Sequence, residues 1–444
     1  MEILEKAQRM LERYPLCSHC LGRQFALLGH GLSNKERGEA IKTLLTMKGH
    51  RLALAGMEAG INLLKALAVN GASKMAARIL QRLGVEAGAA RECYLCGGAF
   101  KAIDDLVRMA LERLEGYEFA NFLVGIRLPR EVEEREDEFK AEFGVEHGES
   151  MRNEFSREIG KRISQITQKP VEYRKPDIIV LVNPFTRQVL LQVNPLYIAG
   201  RYRKLVRGIP QARWICVRCG GRGCPRCNWT GKMYPDSVEE LIGEPTLEMT
   251  LGEDIAFHAS GREDVDARML GTGRPFVIEV KRPKRRFINL QELANAINEH
   301  AQGKVEVLNL QFADRDVVRK IKQAEGSEKV YRVIVEFERP ISDEELKTLE
   351  NALNNTTIRQ QTPLRVLHRR ADRIREKHIY EAKIKRLTHN RIEMILRCQG
   401  GLYIKELITG DEGRTRPSVF EILGVKPTHI ELDVLDVIMR GYLS

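Results

Sequence analysis

Between Gly261 and Pro275 the chain reads Gly-Arg-Glu-Asp-Val-Asp-Ala-Arg-Met-Leu-Gly-Thr-Gly-Arg-Pro. Three arginines, two aspartates and a glutamate stand among three glycines, with few apolar residues to anchor a helix or a strand. Glycine lets a backbone turn tightly and approach a ligand closely. A carboxylate on such a turn can be aimed by its neighbours, and arginines beside it can hold phosphate or set its ionisation. A merely solvated loop would also be polar, but it would have little use for so many opposed charges. The stretch therefore reads as a functional loop carried by a scaffold. Asp264 and Asp266 are its candidate nucleophiles or bases, and Arg262 and Arg268 its candidate substrate-binding cations.

A second chemistry lies in the cysteines. Eight of the nine fall into four Cys-x-x-Cys pairs: Cys17/Cys20, Cys93/Cys96, Cys216/Cys219 and Cys224/Cys227. Two thiolates at this spacing grip one tetrahedral Zn²⁺ from a tight turn, and two pairs complete the shell. Four protein ligands leave no open position, so the expected role of the zinc is structural. Cys17, Cys20, Cys93 and Cys96 are expected to share one ion that pins the N-terminal helix to the end of a helical insertion. Cys216, Cys219, Cys224 and Cys227 lie within twelve residues. They resemble one repeat of the DnaJ-type cysteine-rich module, in which a zinc draws on two repeats. This single repeat could close on its own zinc, could have lost it, or could hold two disulfides. Arg218, Arg222, Arg226 and Lys232 make the knuckle basic, which suits contact with phosphates.

These groups need a scaffold, and 444 residues with 43% hydrophobic content supply two or three domains with real cores. Apolar residues recur at three- and four-residue spacing over 2–14, 35–48, 53–68, 73–84 and 103–115, with Ser33 and Asn34 as a cap for the second helix. From about 117 the pattern changes. Strands are expected at 119–128, 177–182 and 189–193, with a helix at 149–166. The acidic run 131–142 reads as a solvated face or mobile loop, since like charges repel. The last part alternates strands (305–312, 329–338, 391–397 and 430–437) with helices (290–299 and 343–353), an α/β or α+β sheet. The expected division is an accessory domain over 1–205 and a catalytic domain over 206–444.

Net charge is +11, which favours a polyanionic partner, most often nucleic acid. Two stretches concentrate it. Gly200–Pro210 is basic with a tyrosine, and Arg365, His368, Arg369, Arg370, Arg373, Arg375 and Lys377 are seven basic residues in thirteen. The second run reads as a contact with a phosphate backbone. No leader peptide is visible at the N-terminus. The apolar stretch 52–69 is interrupted by Glu58 and Lys65, so no membrane span is expected and the protein is expected to be cytoplasmic.

The Gly-Arg-x-Asp register of the loop resembles the signature of pseudouridine synthases. The longer form through Phe276 resembles one branch, the archaeal and eukaryotic tRNA pseudouridine synthase acting on the T arm, at tRNA positions 54 and 55. Cys17–Arg23, the Gly200–Pro210 and Cys216–Gly231 stretches, Gln361–Arg370, Tyr403–Glu406 and Gly410–Thr415 extend the resemblance over nearly the whole chain. It implies an α+β, multidomain protein. An N-terminal zinc-bound helical and THUMP-like α/β accessory domain, THUMP-like from about 117, would precede a pseudouridine synthase fold with a mixed, mainly antiparallel sheet and a central cleft. It also implies Asp264, rather than Asp266, as the essential carboxylate. Tyr331, Tyr403, Lys405 and Leu432 join Arg262 and Arg268 as substrate-binding residues. tRNA is the implied partner, with structural Zn²⁺ and no organic or nucleotide cofactor. Another THUMP-type tRNA-modifying enzyme would need a glycine-rich nucleotide loop after a strand, and no Gly-x-Gly-x-x-Gly or Walker A sequence is present. A zinc-containing, non-catalytic RNA-binding protein would explain the cysteines and the charge but not the loop.

Overall fold

The structure, a computed structural model, describes residues 3–368 and 370–439. Met1, Glu2 and Arg369, which the sequence reading used, lie outside them. The chain divides into two compact units, 1–194 and 195–444. The break falls ahead of the expected 205/206, because Leu196–Lys204 is a strand of the second unit's sheet.

In the first unit the helices Ile3–Arg13, Asn34–Leu54, Glu58–Val69, Lys74–Arg82 and Ile103–Leu114 match the apolar periodicity. Ser33 caps the second through a capping box with Glu36, so two otherwise orphaned N–H groups are satisfied. Beyond them stands a three-stranded sheet of β1 (Phe122–Ile126), β2 (Ile178–Asn183) and β3 (Gln188–Val193). β1 and β2 are parallel, and β3 is antiparallel to β2. Phe122, Val124, Ile126, Ile178, Val180 and Val182 alternate inward, where they meet Phe155, Ile159 and Ile163 of the helix Met151–Thr167 in one apolar cluster.

The acidic run is a solvated helix face, with Glu131, Glu134, Asp137 and Glu138 exposed, rather than a mobile loop. It forms the helix Arg130–Glu142, and Glu136 is buried. Its carboxylate accepts from Arg23 Nε at 3.0 Å and from the Met151 backbone N–H at 2.9 Å. Arg23 is fully buried and also donates to Glu154 at 3.0 Å. The like charges are tolerated because one of them neutralises a buried cation from another helix.

The second unit is built on a ten-stranded sheet. Its strands are β4 (Leu196–Lys204), β5 (Asp254–Ala259), β6 (Arg268–Lys281), β7 (Val305–Ala313), β8 (Lys329–Phe337), β9 (Thr356–Gln361), β10 (Ile374–Thr388), β11 (Arg391–Cys398), β12 (Thr415–Arg416) and β13 (Pro427–Val437). The order is β12-β9-β10-β11-β8-β13-β6-β4-β7, with β5 paired to β6. Every pairing is antiparallel except β13 with β6, which run parallel over Asp433↔Arg268 and Val434↔Met269. The mixed, mainly antiparallel α+β sheet expected from the sequence is therefore present. Helices Val238–Thr250, Leu290–His300 and Asp343–Leu353 contribute to its core through Ile242, Leu293, Ile297 and Leu349. β4, β5, β6, β9, β10 and β12 have no counterpart in the sequence reading. β10 is partly exposed along its length and takes the end of the second basic run, Arg375 and Lys377, into the sheet. No described helix is long and apolar enough to cross a membrane.

Candidate active site

The two halves of the large sheet meet at the short parallel pairing of β13 with β6. The loop from Gly261 to Ala267 enters β6 at that junction. Gly261 takes φ +73°, a left-handed conformation that calls for glycine.

A buried network fixes the loop from beneath. Glu263 is buried and accepts from Arg274 Nε at 2.8 Å and from the Tyr202 hydroxyl at 3.0 Å. Arg274 also donates to the Ser260 carbonyl at 2.7 Å. Gln211 donates to the Tyr202 hydroxyl at 2.7 Å and to the Gly261 carbonyl at 3.0 Å. Burial, then the nearby Glu263 carboxylate, raises the Tyr202 pKa well above that of an ordinary phenol. Lys204, with no exposed surface, donates to the backbone carbonyls of Ile209, Asp264 and Val265 at 2.9, 3.0 and 3.2 Å. The Gly200–Pro210 stretch, which in sequence could be either a nucleic-acid contact or an ordinary basic linker, engages these cations within the fold. Arg203 donates to the Gly271 carbonyl, and Arg207 binds the Asp266 and Leu432 carbonyls and the Asp433 carboxylate.

With its backbone held, Asp264 presents a half-buried carboxylate to a cleft of about 460 Å³. Arg262, Tyr331, Tyr403, Lys405 and Leu432 share that cleft with it, as do Arg365, Arg370 and Lys329. The nearest cation to the Asp264 carboxylate is Arg365, at 3.3 Å; Lys405 stands at 3.6 Å. Lys405 binds Asp266 more closely, at 2.6 Å. Burial pushes the Asp266 pKa up, but this lysine outweighs it and holds the group below the usual carboxylate range. Arg365 is itself oriented by Glu406 at 2.6 Å, and its guanidinium lies over the Tyr403 ring at 5.8 Å. Gln360 fixes Tyr403 by exchanging hydrogen bonds with its backbone. Tyr331 stands on β8 and Leu432 on β13, both buried. Burial raises the Tyr331 pKa, so its hydroxyl stays protonated at neutral pH.

The structure therefore gathers six of the seven predicted site residues around one cleft. Arg268 is the exception: it makes a bidentate pair with Asp433 at 2.8 and 2.9 Å and clamps β6 to β13. Arg365 was grouped with the phosphate-binding run. Its chemical signal lay in its distance from the loop across the fold, which spacing along the chain does not carry. Lys204, Glu263 and Arg274 were missed as positioning groups for the same reason.

Both cysteine tetrads come together. Within each, the four sulfurs lie within 4.8 Å of one another. The S···S distances are 3.7 Å for Cys17–Cys96, 3.9 Å for Cys216–Cys224 and 3.9 Å for Cys219–Cys227. A tetrahedral site with Zn–S bonds of about 2.3 Å has edges of about 3.8 Å, and the donor sets fit such an ion. No disulfide joins any of the nine cysteines in this structure. In the first tetrad Arg23 donates to Cys20 Sγ at 3.5 Å, which would stabilise thiolate charge.

Comparison with known families gives two matches. A model described as "Pus10, C-terminal" matches residues 197–438, and one described as "Pus10 THUMP domain, archaeal" matches residues 106–183. Among curated relatives, the "tRNA pseudouridine synthase Pus10" of Methanocaldococcus jannaschii is 47% identical, over 98% of this chain and 94% of that protein. Its namesake in Methanothrix thermoacetophila is 43% identical over the same shares, and that in Pyrococcus furiosus 40% identical over 98% of both chains.

Proposed function

This chain belongs to the Pus10 family of tRNA pseudouridine synthases, and we propose that it isomerises uridine in the T arm of tRNA, at positions 54 and 55 or one of them, with Asp264 as the catalytic carboxylate. The observation that carries this reading is the meeting of Asp264 with Arg365, Lys405, Tyr331 and Leu432 around one cleft, on a loop whose backbone is fixed from below. The T arm and its positions rest on the resemblance of Gly261–Phe276 to that branch of the synthases.

The reaction breaks the N1–C1′ bond, turns the base and joins C5 to C1′. A proton leaves C5 and one is taken up at N1, so no redox partner is needed. Asp264 acts at the target nucleoside as nucleophile or as base. Arg365 and Lys405 keep its charge compensated while that charge is used. Tyr331 offers a ring face to the base. Its hydroxyl, kept protonated by burial, faces the cleft where it can take part in removing the C5 proton. Leu432 closes the apolar wall. A uridine inside a folded tRNA has to be flipped out, at a cost of a few kcal/mol, which phosphate contacts along the basic surface offset. Each cysteine tetrad holds a structural Zn²⁺ in this reading, which requires no organic or nucleotide cofactor, and the enzyme works on cytoplasmic tRNA.

The test is release of tritium from C5-labelled uridine in a tRNA transcript, with carbodiimide mapping of the modified position. Wild-type protein should release tritium and mark the T arm. Asp264→Asn should abolish release while tRNA affinity stays within about two-fold. Appreciable turnover by that variant would remove Asp264 from its role.

A further inference from the structure

The second tetrad stands on a stem that begins at the active-site loop. The Arg262 guanidinium lies over the Trp214 ring at 5.6 Å, and Trp214 packs edge-on against Tyr234 at 5.4 Å. Trp214 also lines a cavity together with Arg262, Asp264, Arg365 and Lys405. From Trp214 the chain rises through a short two-strand stem. The Met233 N–H donates to the Trp214 carbonyl at 2.8 Å, Ile215 pairs with Lys232, and the Cys216 N–H donates to the Gly231 carbonyl at 2.8 Å. The four cysteines lie above this stem. The knuckle is thus tied at its base to the rim of the cleft that holds Asp264.

At its tip the knuckle does something a structural metal site does not need. Trp229 is 72% exposed, one of two tryptophans in the chain. It also has φ +62°, directly after Asn228 at φ +49°. A bulky aromatic residue in the left-handed region is a true outlier and persists where its surroundings over-determine it. Here the surroundings are the tetrad turn. The Trp229 N–H donates to the Cys224 carbonyl at 2.9 Å, and the Gly231 N–H points at Cys227 Sγ at 3.3 Å. Gly231 itself has φ +71°, with the Gly221 carbonyl oxygen 2.3 Å from where its Cβ would stand. Glycine or asparagine would occupy position 229 without strain, and a polar residue would expose no ring. The backbone instead holds a large aromatic face out into solvent.

The charge around it selects the partner. Residues 213–232 contain Arg213, Arg218, Arg222, Arg226 and Lys232 and no acidic residue; the four arginines are exposed. An apolar protein partner would call for an uncharged rim. An exposed aromatic face on a short segment that also carries exposed arginines is a combination that binds unpaired nucleotides, with the base stacked on the ring and the phosphates on the cations.

We propose that the Cys216–Cys227 knuckle is a metal-stiffened finger that stacks Trp229 on an unpaired base of the bound tRNA, with Arg218, Arg222 and Arg226 on the neighbouring phosphates. The finger rests on the tRNA reading above and extends it. Rooted beside Arg262, it holds the RNA near the cleft while the target uridine is out of its stack. Its contribution is to binding, because Trp229 is not among the residues that line the cleft.

The experiment compares full-length wild-type protein with Trp229→Ala, Trp229→Phe and Trp229→Gly, using one tRNA transcript. Four readings are taken: Kd, KM and kcat from tritium release, thermal stability, and sedimentation. The Ala and Gly variants should raise Kd and KM about ten-fold, the scale of one lost base–aromatic stack, and leave kcat within about two-fold. The Phe variant should recover most of the loss. The Gly variant should be at least as stable as wild type, since it relieves the left-handed backbone. Unchanged Kd in the Ala variant would overturn the finger. So would a loss of affinity that tracks unfolding, or a change in self-association with tRNA affinity intact. Wild-type tritium release is read separately. If it occurs while Trp229→Ala binds normally, the finger fails and the isomerase reading stands. If it is absent while Trp229→Ala binds weakly, the isomerase reading fails and the finger stands.

Discussion

Lys204 Nζ donates to the backbone carbonyl of Asp264 at 3.0 Å, from a strand sixty residues away in sequence and with no exposed surface. The catalytic carboxylate of the proposed mechanism is therefore aimed through its main chain by a buried cation. Burial lowers the Lys204 pKa, while Glu263, 4.0 Å away, favours its charged form.

Lys204→Met should accordingly damage both stability and rate. It leaves three carbonyls short of a donor and removes one of two cations near buried Glu263, a loss of about 2–5 kcal/mol. The loop then drifts, and misplacement of a reacting group on the ångström scale costs roughly 10–100-fold in turnover. tRNA affinity should stay within about two-fold. Denaturant titration, tritium release and a binding titration check the three parts. A stable variant with normal kcat would show that Asp264 needs no such support.

What was legible in the sequence divides along the same line. The loop, both Cys-x-x-Cys sets and the helices of the first unit show in local pattern, because side-chain type and spacing along the chain decide them. Arg268 and the Gly200–Pro210 stretch could not be placed from local pattern because a basic side chain has the same local signature whether it meets phosphate or a buried carboxylate. Arg268 meets Asp433, 165 residues on; Lys204 meets carbonyls sixty residues on. The acidic run 131–142 was half legible. Its charge marked the solvated face but not Glu136, which turns inward to neutralise Arg23, a partner no window of thirteen residues contains. Strand β10 was hidden because it is mostly half-exposed and charged, so its period of two is weak.

The Asp433 clamp predicts a pH dependence. Burial raises its pKa, but Arg268 and Arg207 outweigh this, and the folded-state value lies below the ordinary carboxylate value. A depressed carboxylate pKa contributes stability that is fully present above the unfolded value, about 3.9, and is lost as pH falls through the folded value. Asp433→Asn should therefore be less stable than wild type by about 2–4 kcal/mol near pH 7. The gap should close as pH drops below about 4. Thermal unfolding of both proteins from pH 2.5 to 7 measures it. A gap that is constant with pH would mean that the loss came from packing rather than charge.

Metal content gives a third prediction. The two tetrads should carry two equivalents of zinc per chain in protein purified without chelator, read by elemental analysis. Cys17→Ser should remove one equivalent and destabilise the 1–194 unit, because binding energy at a closed site is folding energy. Cys219→Ser should remove the other equivalent and leave that unit's melting unchanged. Protein with no zinc and full stability would refute both structural sites.

The last prediction concerns the basic run. tRNA affinity should fall steeply with salt, because each neutralised phosphate releases counterions. Arg370 is exposed on the rim of the cleft and donates to the Tyr403 hydroxyl at 2.9 Å, so it can either touch RNA or merely hold Tyr403. The two roles separate in the salt dependence. Replacing Arg369 and Arg370 with alanine should weaken binding and make the slope of log affinity against log salt shallower, by about one unit per lost phosphate contact. A purely positional role for Arg370 would lower kcat through Tyr403 and leave the slope alone. Arg365 belongs to the same run but is already engaged by Glu406 at 2.6 Å and Asp264 at 3.3 Å. Arg365→Ala should therefore cut turnover far more than it changes the slope, and titrations at four salt concentrations on both variants decide how the run divides between backbone contact and chemistry.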